Sequence, residues 1–183
     1  KALLARLGTS LPVEPVLSDQ PLLDSFDIGH LGRATARFDE ADLVRLNSHI
    51  LHQTSYAAVA GRTRLSEAQW NAVRGNIETI ADADRWQVVL GGPLKAPPPA
   101  DADRAYLQQA ATILAGMEFG ADSWAELTTA LKAATGRKGR ALYAPLRLAL
   151  TGLGTGPEMA DLLPLIGRDE ALRRLGGNGT GPE

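Results

Sequence analysis

The stretch Gly136-Arg137-Lys138-Gly139-Arg140-Ala141-Leu142-Tyr143-Ala144-Pro145-Leu146-Arg147-Leu148-Ala149-Leu150-Thr151-Gly152 decides how this chain is read. Leu142, Leu146 and Leu150 recur every fourth residue, which is the spacing of one face of an α-helix; no strand-like alternation competes with it. Glycines stand at both ends, where a helix can stop in a left-handed turn. Pro145 falls within the leucine stripe. It lacks an N–H and crowds the preceding turn, so it should kink or divide the helix. The surroundings are basic. Between Glu126 and Glu158 there is no acid, whereas Lys132, Arg137, Lys138, Arg140 and Arg147 supply five positive charges.

Outward from this stretch the pattern stays helical, with Ala and Leu dominating the periodic segments. Residues 1–8 read as the end of a helix stopping at Gly8. Residues 9–38, with Pro12, Pro15 and Pro21, read as an irregular connector holding a short helix near 18–26. Asp39 and Asp42 open a helix whose buried face is Leu43, Leu46, Ile50 and Leu51. Ser66 and Gln69 form a capping-box pattern opening a helix that buries Trp70, Val73, Ile77 and Ile80. Asp82 caps the next helix, which carries Trp86, Val89 and Leu90 and stops at Gly91-Gly92-Pro93. Lys95 to Pro99 is a stiff, extended linker.

Asp101 restarts helix with Tyr106, Leu107, Ala110, Ile113 and Leu114 inward. Asp122 or Ser123 caps a helix carrying Trp124, Leu127 and Leu131 that ends at Gly136. Pro157 suits the first turn of a helix over 157–166, and 168–175 forms the last one. Gly154 to Glu158 recurs as Gly179 to Glu183, too short a string to make a repeat architecture. The fold expected is all-α. It has two small helical subdomains, residues 1–64 and 65–175, and a disordered tail over 176–183.

With 183 residues and 44% hydrophobic content the chain can bury a core. The absence of Cys excludes a disulfide scaffold, a thiolate metal site and a Cys nucleophile, and fits a reducing compartment. No run approaches the roughly 20 apolar residues that span a bilayer. The chain opens on Lys1 rather than Met, which reads as a piece of a longer protein. Its net charge of −2 averages unlike parts, because the five-positive segment leaves the remainder at −7. Such asymmetry is the footprint of an anion-binding face.

Catalytic and metal signals are weak. Asp27-Ile28-Gly29-His30 is one residue from the HIGH signature of class I aminoacyl-tRNA synthetases, but no buried strand precedes it and no KMSKS-like loop follows. His49 and His52 lie three apart on a helix with no third ligand in place. No phosphate-binding loop or dinucleotide turn occurs, and the acid pairs Asp82/Asp84 and Asp101/Asp103 stand where helix caps belong. By its own residues the chain is not an enzyme.

The stretch 136–152, followed by Gly156-Pro157-Glu158, resembles the C-terminal end of bacterial glutamyl-tRNA synthetases. There a Gly-Lys-x-Leu-aromatic stretch leads to Pro-Leu-Arg-x-Ala-Leu-Thr-Gly and a Gly-Pro turn. Leu7-Gly8-Thr9-Ser10, Phe38-Asp39 through Leu46-Asn47, and Trp124 with Lys132 resemble earlier family segments in the same order. The resemblance implies stem-contact helices followed by an anticodon-binding helical bundle. It implies a cytoplasmic monomer that grips tRNA(Glu) and touches no membrane. It also implies that glutamylation, with its ATP and Mg²⁺, belongs to a catalytic domain outside this chain. The chain itself would then need no cofactor and be inactive.

On the same resemblance, Lys132, Arg137, Lys138 and Arg140 would meet phosphates and Arg147 would read an anticodon base. Gly156, Pro157 and Met159 would form a second contact, with Gly156 where some members carry Thr. His52 falls near a position where some members carry an Arg that discriminates the third anticodon base. Its absence makes tRNA(Gln) a second expected partner. The competing reading is a free-standing helical protein-interaction module using Trp70, Trp86 and Trp124 as exposed anchors, although all three fall on core stripes.

Overall fold

The computed structural model describes residues 1–33, 35, 38–94 and 97–177. Among them eleven α-helices follow one another, with no strand and one isolated bridge between Thr9 and Leu31. They are α1 (Ala2–Arg6), α2 (Gln20–Asp24), α3 (Glu40–Gln53), α4 (Tyr56–Val59), α5 (Glu67–Val73) and α6 (Asp82–Gly91). There follow α7 (Asp101–Gly116), α8 (Ser123–Thr135), α9 (Arg140–Thr151), α10 (Met159–Ile166) and α11 (Arg168–Leu175). Short 3₁₀ turns occupy Ile28–His30 and Arg74–Asn76. The all-α reading holds. Lys95 and Ala96 of the expected linker, and 178–183 of the expected tail, lie outside the described residues.

Local chemistry sets several boundaries where the sequence places them. Ser66 and Gln69 make both halves of the capping box, so two N-terminal N–H groups of α5 find acceptors. Asp39 accepts the Ala41 N–H at 2.8 Å and opens α3. Gly136 and Gly152 close α8 and α9 with φ of 69° and 68°, a left-handed geometry that glycine adopts without steric cost.

Other boundaries differ from the sequence reading. The helix from Ser66 ends at Val73, because Gly75-Asn76 breaks it. Ile77 is buried from an extended backbone, and Ile80 is only half-buried. Asp82 lies inside α6. Its carboxylate accepts the N–H groups of Glu78 and Thr79 at 3.0 and 2.8 Å and closes the turn ahead. Ser123 acts similarly, accepting the Gly120 N–H at 2.7 Å. Pro157 precedes α10, which starts at Met159. Leu43 stays exposed, because the five-residue α1 is too short to cover the start of α3.

Pro145 does not divide α9. A proline there leaves the carbonyl of Ala141, four residues back, without its helical donor. The Arg137 guanidinium supplies one, with Nη1 3.3 Å from that oxygen.

The buried side chains form two clusters. Ala2, Leu3 and Leu46 make a small one with Val16, Leu22 and Ile50. A larger one runs from Leu51 to Leu175 and gathers α5 to α11, so α3 contributes to both. Trp70 and Trp86 lie in the larger core, and the Trp70 indole donates to the Thr54 carbonyl at 3.0 Å. The large core also holds a buried cation. Arg174 of α11 donates from Nε to Glu170 at 2.6 Å, and from Nη1 to the carbonyls of Val89 at 2.8 Å and of Leu150.

Candidate nucleic-acid interface

The basic segment folds as the end of α8, a turn through Gly136 and Gly139, and α9. Both glycines have positive φ, which reverses the chain tightly enough to place Lys132, Lys138 and Arg140 around one corner. These three side chains are exposed. Flexible, solvated cations of this kind suit phosphate contacts, which position a nucleic acid without reading its sequence.

Arg137 is different. Its Nη1 donates to Asp103 at 2.6 Å, its Nη2 donates to the Ala102 carbonyl at 3.0 Å, and its guanidinium stacks 4.2 Å from the Tyr106 ring centre. The sequence counts it as one of four cations available to phosphate. In the folded chain it is bound to α7.

Arg147 extends from the middle of α9 into a groove of about 290 Å³ lined also by Trp124, Tyr143, Glu158 and Met159. Nη2 donates to the Pro157 carbonyl at 2.9 Å, while Nη1 is buried with no hydrogen-bond partner. Nη2 of Arg174 in the core is the other buried side-chain nitrogen without a partner among the described residues, so what singles out Arg147 is that its free donor stands beside the aromatic rings and carboxylate of this groove. Tyr143 and Arg147 are one helical turn apart. The Trp124 and Tyr143 rings lie 6.3 Å apart with planes tilted by 38°. The groove therefore combines two π-faces, an unpaired guanidinium donor and the Glu158 carboxylate. A planar base with donor and acceptor edges has a partner there for each part.

Of the 156–159 turn, Pro157 and Met159 are buried and Glu158 is exposed. Gly156 has φ of 148°, and a Cβ there would stand 2.9 Å from Cη2 of the buried Trp86 and 3.5 Å from Nη1 of Arg147. That approach, with the positive φ, accounts for a glycine at this position. Gly156→Ala should push the turn off Trp86 and lower stability by about 1–3 kcal/mol, measurable by denaturant unfolding.

His52 is separate from this groove. It lies at the end of α3, with Nε2 3.1 Å from the Ser48 hydroxyl and 3.2 Å from the Ile77 carbonyl. The His49 and His52 rings are 6.3 Å apart. Among the described residues no group of three or more His, Cys, Asp or Glu is placed to hold a metal ion. In the Asp27–His30 segment the Asp27 carboxylate accepts the Gly29 N–H at 2.8 Å and caps an exposed 3₁₀ turn.

Sequence reasoning missed Trp124 and Tyr143 as groove residues, while Glu158 lies within the 156–159 turn it singled out. Tyr143 and Arg147 share a helix face, which was a usable signal. Trp124 sits on a core stripe and is only half-buried, and no periodicity shows that.

Residues 95–177 match the family described as an anticodon binding domain. Over 176 residues the chain is 53% identical to glutamate-tRNA ligase 1 of Novosphingobium aromaticivorans and 52% identical to glutamate-tRNA ligase 2 of Sphingopyxis alaskensis. Each match takes in 95% of this chain and 40% of the relative, so the chain spans about two fifths of their length. Among solved structures, a glutamate tRNA ligase from Elizabethkingia meningosepticum superposes with a TM-score of 0.73 at 20% identity, covering 95% of this chain and 39% of that one. The glutamate-tRNA synthetase of Elizabethkingia anophelis gives 0.69 at 21%, with the same coverage. At such identities the two structures establish the fold alone.

Proposed function

We propose that this chain grips the anticodon arm of tRNA(Glu), since residues 95–177 match the anticodon binding domain family and 95% of the chain aligns with glutamate-tRNA ligases. The observation that carries the reading is the unpaired, buried Nη1 of Arg147 in a groove walled by Trp124 and Tyr143. An anticodon loop is single-stranded and its bases can be splayed. Stacking on aromatic rings and hydrogen bonding to base edges can then act together, while Lys132, Lys138 and Arg140 neutralise neighbouring phosphates.

The glutamylation chemistry, with ATP and Mg²⁺, belongs on this reading to the part of the relatives that this chain does not span. The described residues do not fit those groups. They offer no metal-ligand cluster, and the Asp27–His30 segment is an exposed capped turn. On the same reading the chain binds tRNA and leaves charging to that other part, and the ligase is expected to be a cytoplasmic monomer. Among the described residues, no helix is long and apolar enough to cross a membrane.

The interaction-module reading loses support from the burial of Trp70 and Trp86, which removes two of its three anchors. A second partner, tRNA(Gln), rests on His52 falling near the position where some members of the resembled family carry a discriminating Arg. Absence of misacylated tRNA(Gln) with the full-length ligase would sink it. The direct test of the main reading is titration of the chain with a tRNA(Glu) transcript and with one carrying an exchanged anticodon. Tighter binding of the first is expected, and equal binding of both would refute anticodon reading.

A further inference from the structure

We infer that Arg137, together with Asp103, is a positioning device that holds α9 so that Arg147 faces its groove, and that Arg137 is not a phosphate contact. The inference rests on the tRNA-binding reading above.

Its physical basis is the proline. Pro145 removes the one hydrogen bond that would tie the Ala141 carbonyl into α9, two residues before Arg147. A helix lacking one bond at that point can hinge there. Arg137 fills the gap from outside the helix, with Nη1 3.3 Å from the Ala141 oxygen. The same guanidinium is clamped to the first turn of α7 by Asp103 at 2.6 Å and by the Ala102 carbonyl at 3.0 Å. Tyr106 completes the attachment. Its ring lies 4.2 Å under the guanidinium, and its hydroxyl donates to the Leu142 carbonyl at 2.6 Å. Burial pushes the Tyr106 phenol up to about 12, so it remains a donor at neutral pH.

The carbonyl that the proline strands, Ala141, and the next one, Leu142, are thereby both fastened to α7. The Arg137 and Asp103 side chains are 26% and 28% exposed, so a phosphate would have to displace a largely desolvated carboxylate to reach this cation. Lys132, Lys138 and Arg140 face no such competition.

The two roles predict opposite signs. If Arg137 were a phosphate contact restrained by Asp103, then Asp103→Asn would free it, and tRNA binding would strengthen with a steeper salt dependence. If Arg137 positions α9, Asp103→Asn should weaken binding of tRNA(Glu) by about fivefold and leave the salt slope unchanged. Arg137→Lys keeps the charge but cannot reach Asp103, Ala102 and Ala141 together, so it should not rescue the loss seen in Arg137→Ala.

Pro145→Ala supplies the missing test independently of folding defects. It restores an N–H to the Ala141 carbonyl, so Arg137→Ala should cost less affinity in the Pro145→Ala background than alone. The experiment measures tRNA(Glu) binding against salt for the 183-residue chain and these variants, with Lys138→Ala as the phosphate reference. Stronger binding by Asp103→Asn, wild-type affinity in Arg137→Lys, or no relief from Pro145→Ala would each overturn the inference. In all three cases the Lys138 effect would leave the tRNA reading standing. Absence of tRNA binding by the unaltered chain would overturn both.

Discussion

Replacing Arg174 by Met should lower the unfolding free energy by about 2–6 kcal/mol, at about 1–3 kcal/mol for each of two buried carbonyls left without a donor, while Glu170 keeps its bonds from Arg173. With a side chain only 1% exposed, Arg174 has nowhere to redirect its guanidinium. Its Nη1 serves carbonyls that the backbone leaves stranded. Val89 lies in the last turn of α6, and four residues on stands Pro93, which has no N–H. Leu150 lies in the last turn of α9, and its would-be partner Gly154 is past the helix end. One cation thus finishes two helices and joins them to α11. Met would keep most of the stem's packing and abandon both carbonyls. For a chain of this size the loss corresponds to roughly 5–20 °C in Tm, which thermal denaturation would show.

The same cluster gives acid stability a defined direction. The hydrogen bond from Arg173 holds the Glu170 carboxyl below its usual 4.5. Burial opposes this, and the bond from Arg174 adds to it. A carboxyl depressed in the folded state stabilises fully above its unfolded pKa. That contribution fades as pH falls through the lower folded value, so melting temperature should drop below about pH 4.5. Glu170→Gln should flatten that part of the pH profile, and an unaltered profile would show that the pair does not contribute.

Arg147→Ala should weaken binding of tRNA(Glu) by about 10- to 100-fold and binding of an anticodon-exchanged tRNA by much less. A guanidinium N–H buried without a partner carries an unmet desolvation cost of about 1–3 kcal/mol, which a base acceptor placed against Nη1 would relieve. The bond from Nη2 to Pro157 fixes the guanidinium plane before any ligand arrives, so little conformational freedom is lost on binding. Arg147→Lys should fail almost as badly, since an ammonium cannot reach Pro157 and a base edge at once. Equal losses on both tRNAs would make Arg147 a phosphate contact or a structural residue.

Most of the helical order was legible in the sequence because its signals are local. The Ser66–Gln69 capping box, the Gly136 and Gly152 stops and the terminal helix from Arg168 to Leu175 all depend on residues within a few positions of one another. What escaped depends on partners far along the chain. Arg174 meets Val89 across 85 positions, and Arg137 meets Asp103 across 34. No periodicity reveals either pairing. Pro145 does not divide α9 for this reason, since the donor that mends the helix comes from outside it. For the interface, the sequence located the basic segment and Arg147. It could not separate the cation bound to α7 from the three left exposed, and it assigned Trp124 to the core although the folded chain leaves that side chain half-exposed at the groove.

The most direct measurement is the equilibrium constant for tRNA(Glu) as salt is raised from about 50 to 200 mM, a range over which phosphate contacts weaken visibly. With Lys132, Lys138 and Arg140 each meeting one phosphate, log K should fall linearly with log salt at a slope of roughly −2, about −0.7 per contact on single-stranded RNA. Each Ala substitution among the three should flatten the line by about 0.7. Binding that ignores salt, or no binding at all, would contradict the assignment of this face to tRNA.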